Sequence, residues 1–240
     1  MVKADKRLIV AIDVHSMDKV QQLVESLGDC VTYYKVGMEL FYSVGSQVIT
    51  YLRGQGKEVF LDLKLHDIPN TVGQGLATLT GLGVSMLNVH ASGGPAMMKA
   101  GAEAVKKKAH EMGIEPPKLI AVTVLTSINP VEWSALGYDL DLSKQVVHLA
   151  KLAQSAGLDG VVASPQEAEA IRAACGDEFI IVTPGIRPSG AAINDQSRIA
   201  TPAGALKNGA HHLVIGRPIT AVENPRQAVQ AILKEMRDEA

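Results

Sequence analysis

The sequence predicts an α/β protein, a closed (β/α)8 barrel in a single domain over residues 1–240, and three observations lead there. Eight short runs rich in β-branched and other apolar residues alternate with eight longer segments that carry apolar residues at helical spacing. Several helical segments stop at a glycine shortly before the next strand, namely Gly28, Gly56, Gly83, Gly113, Gly157, Gly176 and Gly209. Glycine is the residue that a left-handed helix end prefers. No linker, low-complexity tract or shift in composition marks a second domain.

The elements follow in order. LIVAIDV (8–14) reads as a buried strand, and DKVQQLVESLG behind it as an amphipathic helix. YYKVGM (33–38) is the second strand, followed by the helical QVITYLRGQG, and EVFLDLKL (58–65) is the third. MLNVHA (86–91) and KLIAVTVLT (118–126) are the fourth and fifth, with VVHLAKLAQSAG as the helix after them. GVVAS (160–164) leads into EAEAIRAACG, FIIVTPGI (179–186) is the seventh strand, and HLVIGRP (212–218) precedes the closing helix NPRQAVQAILKEMRDEA. Strands that alternate with helices run parallel through right-handed crossovers. Eight such units of about thirty residues fit a TIM barrel, which is usually about 250 residues long. An open doubly wound sheet would carry a glycine-rich turn after its first strand, where this chain has AIDVHSMD.

A 47% apolar content fills a substantial core, so the chain needs no staples. With 23 basic and 25 acidic residues there is no bias toward nucleic acid or an anionic membrane, and the one basic run, Lys106 to Lys108, reads as a solvated helix face. Cys30 and Cys175 lack CxxC spacing and read as buried or incidental thiols of a reducing compartment. The apolar run of MVKADKRLIVAIDV is too short for a signal peptide, and no segment approaches the roughly 20 apolar residues of a membrane span. A soluble, cytoplasmic protein is expected.

In such a barrel the chemistry sits where the strands end, at the C-terminal face. The strand ends are Asp13, Lys35, Asp62 with Lys64, His90, Thr123 with Thr126, Ser164, Thr183 with Arg187, and Arg217, whereas the strand starts are mostly apolar. A mouth lined with ionisable groups follows. Several of these residues have a plain reading as well. Asp13 can lead into the first helix, where Ser16 or Asp18 is the better cap, and Lys35 can snorkel to keep its ammonium wet. His90 has no second histidine at ligand spacing, which leaves a metal role little support. His211 and His212 precede the last strand and belong at the opposite end, and Tyr33, Tyr34 and Phe41 are simplest as packing.

Asp62 and Lys64 resist a plain reading. On a strand they share one face of an otherwise apolar run, and Asp67 follows just beyond. Burying a charge is costly, and contact at about 4 Å gains only on the order of 4 kcal/mol at an effective dielectric of about 20, which desolvation can cancel. Alternating charges from Lys35, Asp62, Lys64 and Asp67 instead suit a preformed field that stabilises charge arising in a transition state. Across the mouth, TPGIRPSGAAINDQSRIATPAGA and IGRPIT follow the seventh and eighth strands, the usual phosphate position in these barrels. Gly216 allows close backbone approach, Arg187 and Arg217 offer donor forks, and the length of 185–200 suggests a lid. The other reading is a surface loop with solvated arginines.

DLKLHDIPNTV resembles the signature of the orotidine 5'-monophosphate decarboxylase family. The resemblance extends through AIDV with Asp13, YKVGMELF with Lys35, VTVLTS with Thr126, TPGIRP with Pro184 and Arg187, DQSRIATP with Gln196, and VIGRPIT with Gly216 and Arg217, so it spans Leu8 to Thr220. It implies decarboxylation of orotidine 5'-monophosphate to UMP and carbon dioxide, with no cofactor and no metal. Lys64, Asp62, Asp67 and Lys35 would be catalytic, with Lys64 as cation and proton donor at C6. Asp13 and Lys35 would bind ribose hydroxyls, Thr126 and Ser127 the pyrimidine, and Gln196, Arg187, Gly216 and Arg217 the phosphate. It also implies a homodimer in which Asp67 and Thr71 enter the neighbouring subunit's site. Two rivals remain at this point: a magnesium-dependent phosphosugar decarboxylase or aldolase of the related barrels, whose motif lacks the IPNT tail, and a barrel that only binds a nucleotide. The second has no use for Lys64.

Overall fold

The computed structural model describes residues 3–188 and 200–238. The chain runs β1 (Leu8–Ile12), α1 (Met17–Leu27), β2 (Tyr33–Gly37), α2 (Met38–Val44), α3 (Gln47–Gly54), β3 (Glu58–Leu65), α4 (Pro69–Thr80), β4 (Met86–His90), α5 (Gly94–Met112) and β5 (Lys118–Val122). It continues with α6 (Pro130–Ala135), α7 (Leu142–Ser155), β6 (Gly160–Val162), α8 (Ala168–Cys175), β7 (Ile180–Thr183), α9 (Pro202–Lys207), β8 (His212–Ile215), α10 (Arg217–Thr220) and α11 (Pro225–Asp238). The eight strands close in sequence order, every neighbouring pair parallel and β8 returning to β1, which is the expected (β/α)8 barrel.

Closure buries both faces of each strand, so a run such as LIVAI in β1 is apolar throughout rather than alternating. The period of two then sorts the residues into two cores. Inside the barrel Ile9, Ala11, Tyr33, Phe60, Met86, Ile120, Val182 and Val214 pack on one another. Outside it, Leu8, Val10 and Ile12 meet the helices, whose buried stripes have the expected spacing, as Val20, Leu23, Val24 and Leu27 in α1.

All seven glycines expected at helix ends have positive φ. The strands stop earlier than the apolar runs that announced them, at Val122 rather than 126 and at Ile215 rather than 218, because the chain leaves the ladder as it turns over the mouth. The helix after β3 starts at Pro69, whose missing N–H costs nothing in a first turn. Cys30 and Cys175 are both buried and free, and Lys106 and Lys107 are exposed. No helix among the described residues is long and apolar enough to cross a membrane.

Candidate active site at the barrel mouth

The site begins with an interruption in β3. Its ladder with β4 is regular to Leu61↔Leu87 and resumes at Leu65↔Val89, so Asp62, Leu63 and Lys64 stand opposite Asn88 alone. Two surplus residues bulge the strand. Lys64 takes up the distortion with φ +52°, the one non-glycine residue in the left-handed region among those described. Strain of this kind collects at functional sites. Its backbone N–H, out of the ladder, donates to Asn88 Oδ1 at 2.8 Å.

The compressed strand brings the charges together. Lys64 Nζ lies 2.6 Å from Asp62 Oδ1, Lys35 Nζ lies 3.4 Å from Asp62 Oδ2 and 3.3 Å from Asp13 Oδ1, and Asn88 Nδ2 donates to Asp62 Oδ1 at 2.7 Å. A chain of alternating sign thus crosses from β1 through β2 to β3. Burial by itself would push the Asp62 carboxyl up, but the Lys35 and Lys64 ammonium groups and the hydrogen bonds from Lys64 and Asn88 outweigh it, and the carboxyl stays below its ordinary range. Lys35 reaches this position by lying across Gly37, where a Cβ would come within 2.9 Å of Nζ.

These groups form one wall of a cavity of about 270 Å³. Lys35, Asp62 and Lys64 face Val122, Val162, Val182 and Val214, and Thr126, Ser127 and Pro184 close the rim. One wall is ionic and the rest apolar with a few hydroxyls, the composition of a small-molecule site.

A sequence profile of the "Orotidine 5'-phosphate decarboxylase / HUMPS family" matches residues 6–232. The chain belongs to this family. Among its curated relatives, orotidine 5'-phosphate decarboxylase of Trichlorobacter lovleyi is 49% identical over 98% of this chain and 96% of its own length, and that of Carboxydothermus hydrogenoformans is 51% identical over 96% of each. The crystal structure of orotidine 5'-phosphate decarboxylase from Lactobacillus acidophilus superposes with a TM-score of 0.85 at 42% identity, covering 97% of this chain and all 100% of that one.

Within this decarboxylase-family barrel, the remaining expected residues fall into three groups. Gly216 stands beside the ionic chain, where a Cβ would come within 3.3 Å of Asp13 Oδ2, and Arg217, which follows it at the start of α10, is exposed. Arg187 differs from Arg217, being 7% exposed with its Nη1 donating to Ile186 O. It stands at the base of the long segment after β7, where Arg187 N donates to Ala200 O at 2.9 Å and Ile186 bridges Ala200. Gln196 and most of the expected lid lie outside the described residues.

Asp67, expected in the neighbouring subunit's site, stands apart from the ionic chain of its own subunit. It is exposed, accepts a hydrogen bond from Ile68 N at 2.6 Å, and makes no ion pair within the described residues, since β3 has ended and the chain is turning over the rim. Thr71 is likewise exposed, on the first turn of α4.

Four polar strand ends do not reach the cavity. Thr123 and Thr183 have the outward parity, and Thr123 Oγ1 donates to Val162 O. Ser164 Oγ accepts from Gln166 N in a local turn. His90 turns toward His66, their ring centroids 5.5 Å apart, so a histidine partner exists in space that sequence spacing did not offer. It lines a second cavity of about 320 Å³ with Trp133, Tyr138 and His148. No group of three or more candidate metal ligands occurs among the described residues. Reading the sequence missed Asn88 and Gly37. The signal for Asn88 was available, a lone polar residue at inward parity in MLNVH.

Proposed function

We propose that this protein is a carboxy-lyase that converts orotidine 5'-monophosphate to UMP and carbon dioxide, the last step of de novo pyrimidine nucleotide synthesis, without metal or organic cofactor. The observation that carries the reading is Lys64. Its ammonium is held by a buried carboxylate at 2.6 Å on the wall of a cavity otherwise lined by apolar and hydroxyl groups.

The pyrimidine lies against the valines, Thr126, Ser127 and Pro184, with its C6 carboxylate toward Asp62 and Lys64. Asp13 and Lys35 take the ribose hydroxyls, and Gly216 and Arg217, with Arg187 and Gln196, take the phosphate. The C6–carboxylate bond breaks and its electron pair remains on C6, in the ring plane, where no π-system accepts it. The Lys64 ammonium stabilises that pair and then gives it a proton, forming the new C6–H bond. Because the Asp13–Lys35–Asp62–Lys64 chain exists without substrate, its field needs no reorganisation at the moment of reaction. Binding energy from the distant phosphate supports the step by assembling the site. The cytoplasmic placement rests on two thiols left unpaired, as in a reducing compartment.

The working unit is a homodimer in which Asp67 and Thr71 serve the partner's site. Both are exposed, and Ile68 between them in sequence is an apolar residue 66% exposed. Exposed residues of this kind on one connection suit an isologous contact.

The deciding experiment follows orotidine 5'-monophosphate consumption by absorbance after exhaustive dialysis against EDTA. Full activity is expected, because Lys64 supplies the cation at C6. Activity that requires added magnesium would move the protein to the phosphosugar branch, and no consumption would remove the reading. Mixing inactive Lys64→Ala and Asp67→Ala homodimers should recover roughly a quarter of wild-type sites after subunit exchange. Mixed dimers that form but stay inactive would return Asp67 to its own subunit.

A further inference from the structure

We infer that Asn88 is a positioning residue for Lys64, its side-chain amide fixing the backbone kink that carries the ammonium while holding the Asp62 carboxylate against it. The inference rests on the decarboxylase reading for its activity assay. Its structural basis is the interrupted ladder between β3 and β4.

Asn88 is 1% exposed and is not among the residues that line the cavity, so it acts through its neighbours. Its backbone belongs to the intact ladder on the other side, in register with Ile120 of β5. Toward β3 its side chain fills the gap that the bulge opens. Oδ1 accepts the Lys64 backbone N–H at 2.8 Å, which has lost its place in the β4 ladder, and Nδ2 donates at 2.7 Å to the same Asp62 Oδ1 that Lys64 Nζ approaches at 2.6 Å. One planar amide therefore spans both members of the ion pair. Its orientation is dictated by its partners, since a carboxylate takes only a donor and an N–H only an acceptor. The bond to Asp62 is buried and the one from Lys64 N is part-buried, so an unsatisfied group at the Asp62 end would disfavour the kinked arrangement rather than find water.

No isosteric replacement keeps both bonds. Leucine fills the volume and makes neither. Aspartate accepts from Lys64 N but sets a second carboxylate against Asp62, among Lys35 on β2, Lys64 on β3, His90 on β4 and Asp13 beyond Lys35. Its function should return in acid, when the added carboxyl carries a proton to donate.

The test measures kcat, KM, UMP affinity, melting temperature and the pH profile of kcat for wild type, Asn88→Leu and Asn88→Asp. Asn88→Leu should lose about 10²-fold in kcat, the effect of a small misplacement of a reacting group, with UMP affinity unchanged. Asn88→Asp should show kcat that rises as pH falls from 8 toward 5, a dependence absent from wild type. Wild-type kcat in Asn88→Leu, or a loss of UMP affinity matching the loss of kcat in both variants with an unaltered pH profile, would overturn the positioning role alone. Should Asn88→Leu fail to fold, the near-isosteric Asn88→Asp decides by its pH profile. A wild-type protein that leaves orotidine 5'-monophosphate unchanged would overturn the decarboxylase reading and the positioning role with it.

Discussion

The two ends of the barrel use cations in opposite ways. At the floor, where strands begin, Arg172 donates to the carbonyls of Gly176, Asp177, Phe179 and Gly209 and meets His211 Nδ1, and Lys57 Nζ donates to Gly28 O and Val31 O. His212 Nδ1 lies 3.1 Å from Lys6 O, with its ring edge-on to Tyr33 beneath the interior core. At the mouth, Lys35 and Lys64 are met by the carboxylates of Asp13 and Asp62 on a cavity wall. A cation taken up by backbone carbonyls ties loop ends together and offers a ligand nothing. A cation held by carboxylates beside empty volume keeps a field directed at whatever enters. The contrast separates charges that tie the fold together from charges that face a cavity, although both kinds are partly buried.

Substitutions at the two ends should fail in different currencies. On the proposed mechanism the largest effect belongs to Lys64→Ala, which should lower turnover of orotidine 5'-monophosphate by more than about 10⁴-fold, since the variant would lack both the proposed cation and the proposed proton donor. The variant should stay folded and bind UMP, measured by calorimetry, because the proposed phosphate grip at Gly216 and Arg217 is elsewhere. Arg172→Ala should do the reverse. Losing its bonds to four carbonyls should cost about 3 kcal/mol of stability in urea titration, with kcat per folded molecule unchanged. A large fall in kcat there would break the contrast.

Acid should act mainly through the floor. His90 at the mouth and His211 and His212 at the floor all have pKa values lowered first by burial, with neighbouring positive groups adding to the effect for His90 and His211. The unfolded chain then takes up protons near pH 6.5, where the folded protein still resists them. Stability should be level above about pH 7, fall as pH drops through about 6.5, and fall again only in the acid range where the lowered carboxyls of Asp62 and Asp5 lose their advantage over the unfolded chain. Melting temperatures across this range should show the fall in wild type and most of it in His90→Gln, since two of the three histidines lie at the other end. The smallest effect tests the kink: Lys64→Gly should be more stable than Lys64→Ala by about 1 kcal/mol, because only glycine occupies φ +52° without steric cost. Equal urea midpoints would mean that the backbone relaxes once the ammonium is gone.

Much of this protein was legible before any fold was known. Eight alternations of period two and period 3.6, with glycine at the helix ends, are local signals, and right-handed parallel connection leaves few ways to arrange them. Asp62 and Lys64 stood out because charge inside an apolar strand is costly wherever that strand lies. Thr123, Ser164 and Thr183 were drawn to the mouth by their position in the chain alone, and only the inward or outward parity of closed strands, with a local turn at Ser164, took them away from it. Arg187 and Arg217 read alike as residues and differ in burial because one sits at the clipped base of a long segment and the other at an open helix start. The sequence by itself determined the barrel, the end at which its charges gather and the identity of the central lysine, since these follow from periodicity and from the cost of burying charge. Tertiary structure decided the left-handed Lys64, its amide brace from Asn88 and the link from Asp13 through Lys35 to Asp62. Each of these depends on which strands become neighbours and in what register, and pairing between distant segments leaves no periodic trace in either one alone.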